Sequence, residues 1–215
     1  MYWRKKKITY SILIPPLKSE IKDLTEKEAA DYFRWYMEHI PERVEYLREK
    51  CAEQLKIFLP KWKYEESELV LVWRFFIQMA EIDKSPKWTL LKERKEMMNK
   101  GYPKELIEDF LENSEEQLSL QTEYILRDIG MFVGEMFVQN SDKIYWGYYT
   151  KPKRDFFVNT PLLQGFEDHE VTPVFHDTFE LVHMARMQAM NLFDQTQTEE
   201  DLLNIYRKYR NKIPR

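Results

Sequence analysis

The sequence predicts an α+β fold in a single domain over residues 1–215, with about seven helices and a β-hairpin, possible partner for a short N-terminal strand. Three observations carry this. Apolar residues recur at helical spacing over most of the 215 residues. Only five glycines and 33% charged residues argue for helices with solvated faces rather than a glycine-punctuated sandwich. The period then changes once. The apolar stretch 119–139 gives way to aromatic, β-rich segments around Ile144–Tyr149 and Phe156–Asn159, with Lys151-Pro152-Lys153-Arg154 as the turn between them.

The elements follow in order. Ile8–Ile14 alternates loosely and reads as an edge strand ended by Pro15-Pro16. Thr25-Glu26-Lys27-Glu28 is a capping box, after which Ala29, Tyr32, Phe33, Tyr36 and Ile40 form a helical stripe. Pro41 suits the first turn of a second helix, whose stripe is Val44, Leu47, Cys51, Leu55 and Phe58. Ser67 caps a third helix over Leu69–Ile82, apolar on most faces and therefore central, which Lys84-Ser85-Pro86 breaks. Residues 88–99 form a polar helix with a narrow Trp88, Leu91, Met98 edge. Gly101-Tyr102-Pro103 is a turn, and Pro103 opens a short acidic helix. Ser114 starts the long helix to Asn140. Thr172-Pro173 starts a helix running to Asn191, and Thr198 starts the last one, whose basic tail suits a helix C-terminus. Phe33, Leu47, Val72, Phe76, Ile125, Ile129, Phe132 and Val133 are the expected core.

Composition narrows the function classes. A net charge of −4 gives no electrostatic footprint for nucleic acid. Cys51 is the single cysteine, which excludes an intramolecular disulfide framework. The basic start Arg4–Lys7 is followed by a run too short and polar for an export signal, and no stretch reaches a membrane span. The expected compartment is the cytoplasm.

Several constellations bear on chemistry. His176, Glu180 and His183 fall at i, i+4 and i+7, within about 60° of one helix face, and Glu180-x-x-His183 has the spacing of carboxylate-bridged metal sites. A metal-dependent enzyme on that face, with Glu135 or Asp128 as a further carboxylate, is the alternative reading. Arg127, Asp128 and Glu135 lie in a strongly apolar helix. Two carboxylates on one face suit acid–base work, but a buried carboxylate more often pairs with an arginine or with backbone donors. For Glu135 the expected donors are backbone N–H groups or the Trp146 indole. Trp146-Gly147-Tyr148-Tyr149 beside Lys151, Lys153 and Arg154 has the makings of a base-stacking platform, though such aromatics usually pack a hairpin onto helices. No serine or cysteine has a histidine at motif spacing, so no catalytic residue, cofactor or metal is assigned. Glu105, Glu108, Asp109, Glu112, Glu115 and Glu116 form an acidic patch, a solvated face or a dock for a basic partner.

Two segments carry a resemblance. IPPLKSEIKDLTEKEAADYFRWYMEHIPERVEYL near the start and DIGMFVGEMFVQN, IYWGYYTKPK and VNTPLLQGF later resemble a family of small uncharacterised bacterial proteins. The match covers roughly residues 12–47 and 119–166, and its signature is Asp128, Gly130, Gly134-Glu135 and Trp146. The helix-then-hairpin arrangement with a Gly-Glu pair is similar to immunity proteins encoded beside polymorphic toxins. Together with the expected cytoplasmic character, the lack of a catalytic constellation, the aromatic anchors and the acidic segment, this resemblance leads to the expectation of a non-enzymatic cytoplasmic protein that neutralises a cognate toxin by direct binding. Its expected contacts to a basic toxin domain are Glu105, Glu108, Asp109, Glu112, Trp146 and Tyr148.

Overall fold

Helix formation begins at the capping box. The computed structural model describes residues 7–114, 116–167, 178–179, 185, 189, 192–193 and 196–214. Its first helix, α1, spans Glu26–Leu55. The Glu28 N–H donates to Thr25 Oγ1 at 3.3 Å, and the Thr25 N–H donates back to the Glu28 carboxylate at 2.9 Å. These Thr25 bonds hold the Glu28 carboxyl below its usual range. The two helices expected on either side of Pro41 are one helix of 30 residues with the proline inside it. An interior proline costs an isolated helix about 3 kcal/mol. Tyr32, Tyr36, Ile40, Val44, Leu47 and Cys51 are nevertheless all buried, in one unbroken phase across Pro41. Burial of that continuous stripe outweighs the lost hydrogen bond.

The remaining elements are α2 (Glu66–Met79), β1 (Ile82–Lys84), α3 (Lys87–Asn99), α4 (Lys104–Asn113), β2 (Glu116–Leu118), α5 (Leu120–Asn140), β3 (Tyr145–Gly147), β4 (Leu162–Gln164), β5 (Thr178–Phe179) and α6 (Asp201–Arg210). The fold is α+β, with six α-helices and two small antiparallel sheets among the described residues. The chain divides into two compact units. One is built from residues up to Met79 together with those from Tyr124 onward, and the other is Ala80–Glu123.

In the larger unit, α1, α2, α5 and α6 supply the core. Leu47, Val72, Phe76, Ile125, Ile129, Phe132 and Val133 are buried as expected. Phe33 is half-buried and stacks on Tyr148 with ring centroids 4.8 Å apart. Trp62 packs on Phe132 at 4.3 Å and donates its indole N–H to Val44 O at 2.9 Å. The basic tail of α6 does more than complement a helix dipole: Arg207 and Arg210 both reach Glu66 in the first turn of α2, each at 2.7 Å, and keep that carboxyl below its usual range.

The three-stranded sheet runs in the order β3-β4-β5, with Trp146 opposite Leu163 and Leu163 opposite Phe179. The strand that pairs with β3 is therefore Leu162–Gln164, and Phe156–Asn159 forms turns. Asp155 is the physical reason. Its carboxylate accepts the Phe157 N–H at 2.8 Å and the Tyr149 hydroxyl, closing a local turn that competes with a ladder. Asn159 sits at φ 65°, fully buried, and its amide donates to Ile21 O at 2.9 Å and Leu24 O at 3.2 Å, tying the turn to the entry of α1.

The expected strand Ile8–Ile14 has no regular structure. Side chains hold its backbone instead. Ile8 N–H donates to Gln54 Oε1 at 3.2 Å and Ser11 N–H to the Tyr46 hydroxyl at 2.6 Å. Ser11 O accepts from Arg43 at 2.9 Å, and Leu13 O accepts from Arg127. Buried backbone groups require partners, and side chains from α1 and α5 supply them here.

In the smaller unit, Ile82–Lys84 pairs antiparallel with Glu116–Leu118. This pairing ends α2 at Met79 rather than Ile82 and delays α5 until Leu120. Ser119, not Ser114, caps α5: the Thr122 N–H donates to Ser119 Oγ at 3.2 Å, while Ser114 bonds back to Phe110 O at 2.8 Å. Of the helix expected over Thr172–Asn191, Thr178–Phe179 is strand, and Ala185 and Ala189 are helical and buried. The rest of that stretch lies outside the described residues.

Cys51 lies in the buried stripe of α1, and burial pushes its thiol well above the ordinary range. Burial and the neighbouring Asp128 likewise raise the Tyr10 phenol. Both groups keep their protons longer in the folded chain than in the unfolded one, so folding stability must fall as pH rises past their unfolded values of about 8.5 and 10. Urea midpoints should be level up to about pH 8 and drop steadily toward about pH 10.5. A flat midpoint over that interval would show that neither group is shielded. Cys51 should also resist a thiol reagent in the native protein and react once the chain is unfolded.

Candidate functional site

The acidic patch expected to bind a partner is on α4, one arm of a helical hairpin. Pro86 precedes α3, and Gly101 at φ 78° ends it. The Gly101 N–H donates to Met98 O at 3.0 Å and the Tyr102 N–H to Met97 O at 3.2 Å, which satisfies the last carbonyls of α3 and turns the chain. Pro103 then opens α4, accepting the Ile107 N–H at 3.1 Å. Arg94 on α3 bonds Glu108 on α4 across the hairpin. An open cavity of about 260 Å³ lies beside this pair, lined by Arg94, Met98, Tyr102, Lys104, Ile107 and Glu108.

The four carboxylates of α4 have different surroundings. Glu105 and Asp109 are exposed, whereas Glu108 is half-buried against Arg94. The Glu112 side chain and Glu115 lie outside the described residues.

The apolar edge of α3 faces water. Trp88 is 69% exposed, Leu91 65% and Met98 63%, and no residue of α3 is buried. Tyr102, Leu106 and Phe110, spaced four apart, are exposed next to α4's acidic side chains. Exposed apolar side chains at this spacing make the hairpin the candidate docking face. Trp88, Leu91 and Met98 were legible as an edge of a polar helix. The Tyr102, Leu106, Phe110 row was present at helical spacing too, but its exposure is a tertiary fact.

Trp146 and Tyr148 are in the other unit, and both are half-buried. The Trp146 ring meets Tyr36 edge-on at 5.6 Å, and Tyr148 stacks on Phe33. The Trp146 indole N–H donates to Glu135 Oε1 at 2.9 Å, the link expected from the sequence. It ties the β3 strand to α5. Glu135 is half-buried, so Glu135→Ala should cost about 2 kcal/mol, the range for a hydrogen bond to a charged group. Unchanged urea stability in that variant, with a lost binding activity, would move Glu135 from the scaffold to the functional site. In the basic turn, Lys153 donates to Leu24 O at 2.8 Å and Lys151 pairs with Glu26 at 3.2 Å.

The second expected carboxylate, Asp128, is fully buried. Arg43 donates to it through Nε at 3.1 Å and through Nη2, and the Tyr10 hydroxyl donates at 2.6 Å. Burial raises its carboxyl above the ordinary range, against the downward pull of Arg43 and Tyr10. With both oxygens engaged and no access to solvent, Asp128 joins α5, α1 and the N-terminal segment as a structural clamp.

His176, Glu180 and His183 lie outside the described residues, and the strand at Thr178–Phe179 falls between them where their spacing assumed helix. Among the described residues no cluster of histidine, cysteine and carboxylate side chains is arranged to hold a metal ion, and no helix is long and apolar enough to cross a membrane. No protein-family model, curated protein or solved structure matches the chain.

Proposed function

We propose that this chain is a non-enzymatic binding protein of the immunity type, which neutralises a cognate toxin by covering it. The observation that carries the reading is the α3–α4 hairpin, where Trp88 and Leu91 on α3, Leu106 and Phe110 on α4, and the carboxylates of Glu105 and Asp109 are all exposed. Aromatic and aliphatic anchors supply binding energy at such a face, and the carboxylates steer a basic partner onto it. The similarity of the helix-then-hairpin arrangement to immunity proteins supports the same class of partner. Trp146, inside β3, and Tyr148, just after it, are the contacts this reading expects in the other unit, taken by themselves.

The test is co-purification with the product of the adjacent gene, and rescue of cells that express it. Binding with rescue, weakened in a Glu105→Lys/Asp109→Lys variant and at high salt, is the expected result. Neither binding nor rescue by the wild-type chain would end the proposal.

A further inference from the structure

The exposed surface of the α3–α4 hairpin carries both signs of charge, with bases in the majority on α3 and acids in the majority on α4. On α3 the exposed charged side chains include Lys87, Lys92 and Lys95, with Glu96 as the exposed acid, and Lys100 follows the helix. On α4 the exposed acids are Glu105 and Asp109, and the exposed base is Lys104 at its first position. Apolar side chains are exposed on both arms: Trp88, Leu91 and Met98 on the basic one, Leu106 and Phe110 on the acidic one. A purely basic partner complements α4 and leaves the α3 lysines facing like charge. A partner with the same two helices, related by a two-fold axis running along them, complements both arms at once, because that isologous contact places each α3 against the other copy's α4.

We infer that the α3–α4 face pairs with the same face of a second copy of this chain, forming a four-helix contact with Leu91, Leu106 and Phe110 at its centre and lysine–carboxylate pairs at its rim. The inference rests on the reading of this hairpin as a docking face and adds its occupant when no other partner is present. A cognate basic partner engages α4 by displacing that copy, so self-association and partner binding compete.

The experiment is light scattering coupled to size exclusion on the full chain alone, followed over a dilution series. The wild-type chain should show twice the 26.4 kDa chain mass. Leu91→Glu should raise the dissociation constant at least about tenfold, as expected for a central anchor. Two charge-reversed variants give a sharper reading. Lys92→Glu/Lys95→Glu makes both arms acidic, and Glu105→Lys/Asp109→Lys makes both arms basic. Each alone should be monomeric with an unchanged circular dichroism spectrum, and mixing the two should restore a dimer, because only the mixture pairs opposite charges on both contacts. A wild-type monomer at every concentration, or a dimer that ignores these substitutions, overturns the inference. Neither outcome touches toxin neutralisation, which is read separately from co-purification and rescue.

Discussion

Asp128→Ala should lower folding stability by about 3–5 kcal/mol, because it leaves the Arg43 guanidinium buried without a counter-charge. Arg43 is 4% exposed and Asp128 is fully buried, so water cannot replace the missing carboxylate. Arg43 also donates to Ser11 O, and Tyr10 donates to Asp128, so the same change loosens the unpaired N-terminal segment. A domain of this kind has about 5–15 kcal/mol in total, and the loss is a large share of it. Urea denaturation measures it directly. Tyr10→Phe, which removes one donor and leaves the ion pair, should cost about 1–3 kcal/mol. Arg43→Met combined with Asp128→Leu should be less destabilised than Asp128→Ala alone, since no charge remains to be stranded. Were Asp128→Ala to keep the wild-type urea midpoint, the clamp would hold nothing, and a role for Asp128 in chemistry would reopen.

Gly165→Ala should be similarly severe, for a steric reason. Gly165 follows β4 with φ 100°, a conformation that side chains resist, and a Cβ there would lie 2.0 Å from the Lys143 carbonyl oxygen. The obstacle is backbone, so relief requires β4 to move off the segment leading into β3. Positive φ and overpacking together should cost about 2–5 kcal/mol. Gly147, across the same pair of strands, is the control. A Cβ at Gly147 meets only the end of the Gln164 side chain, at 2.6 Å, which can swing away. Gly147→Ala should therefore be the milder change by thermal melting. Equal losses at the two glycines would mean that the close approach at Lys143 is not what requires glycine.

The hairpin shows how far local reading reaches. The change of composition after Asn140 announces a strand at Tyr145–Gly147, because aromatic residues of high strand propensity follow Ile144 there. Its partner was misplaced. Phe156–Asn159 has the composition of a strand, yet Asp155 captures the Phe157 N–H, and the short buried run Leu162-Leu163 takes the central position. Half of the candidate docking face is legible in the sequence. Its acids were visible as a run of charge, and Trp88, Leu91 and Met98 as an edge. Which of them face solvent depends on what packs over the hairpin, and no local window contains that.

What the sequence determined by itself is the set of features that depend on neighbours a few positions away. These include the α+β class, the Thr25–Glu28 box, the turn at Gly101-Tyr102-Pro103, most of the core list, and a carboxylate at Glu135 that needed a donor and found Trp146. Tertiary structure alone decided the rest. Continuous burial on both sides carried α1 through Pro41. Pairing of Ile82–Lys84 with Glu116–Leu118, segments more than thirty residues apart, set the ends of α2 and α5. Arg43, Tyr46, Gln54 and Arg127 took the place of a sheet edge for residues 8–13. Each of these outcomes is a competition between a local preference of a few kcal/mol and burial or hydrogen bonding supplied from elsewhere in the chain, and the distant partner prevails wherever the group would otherwise be buried unsatisfied.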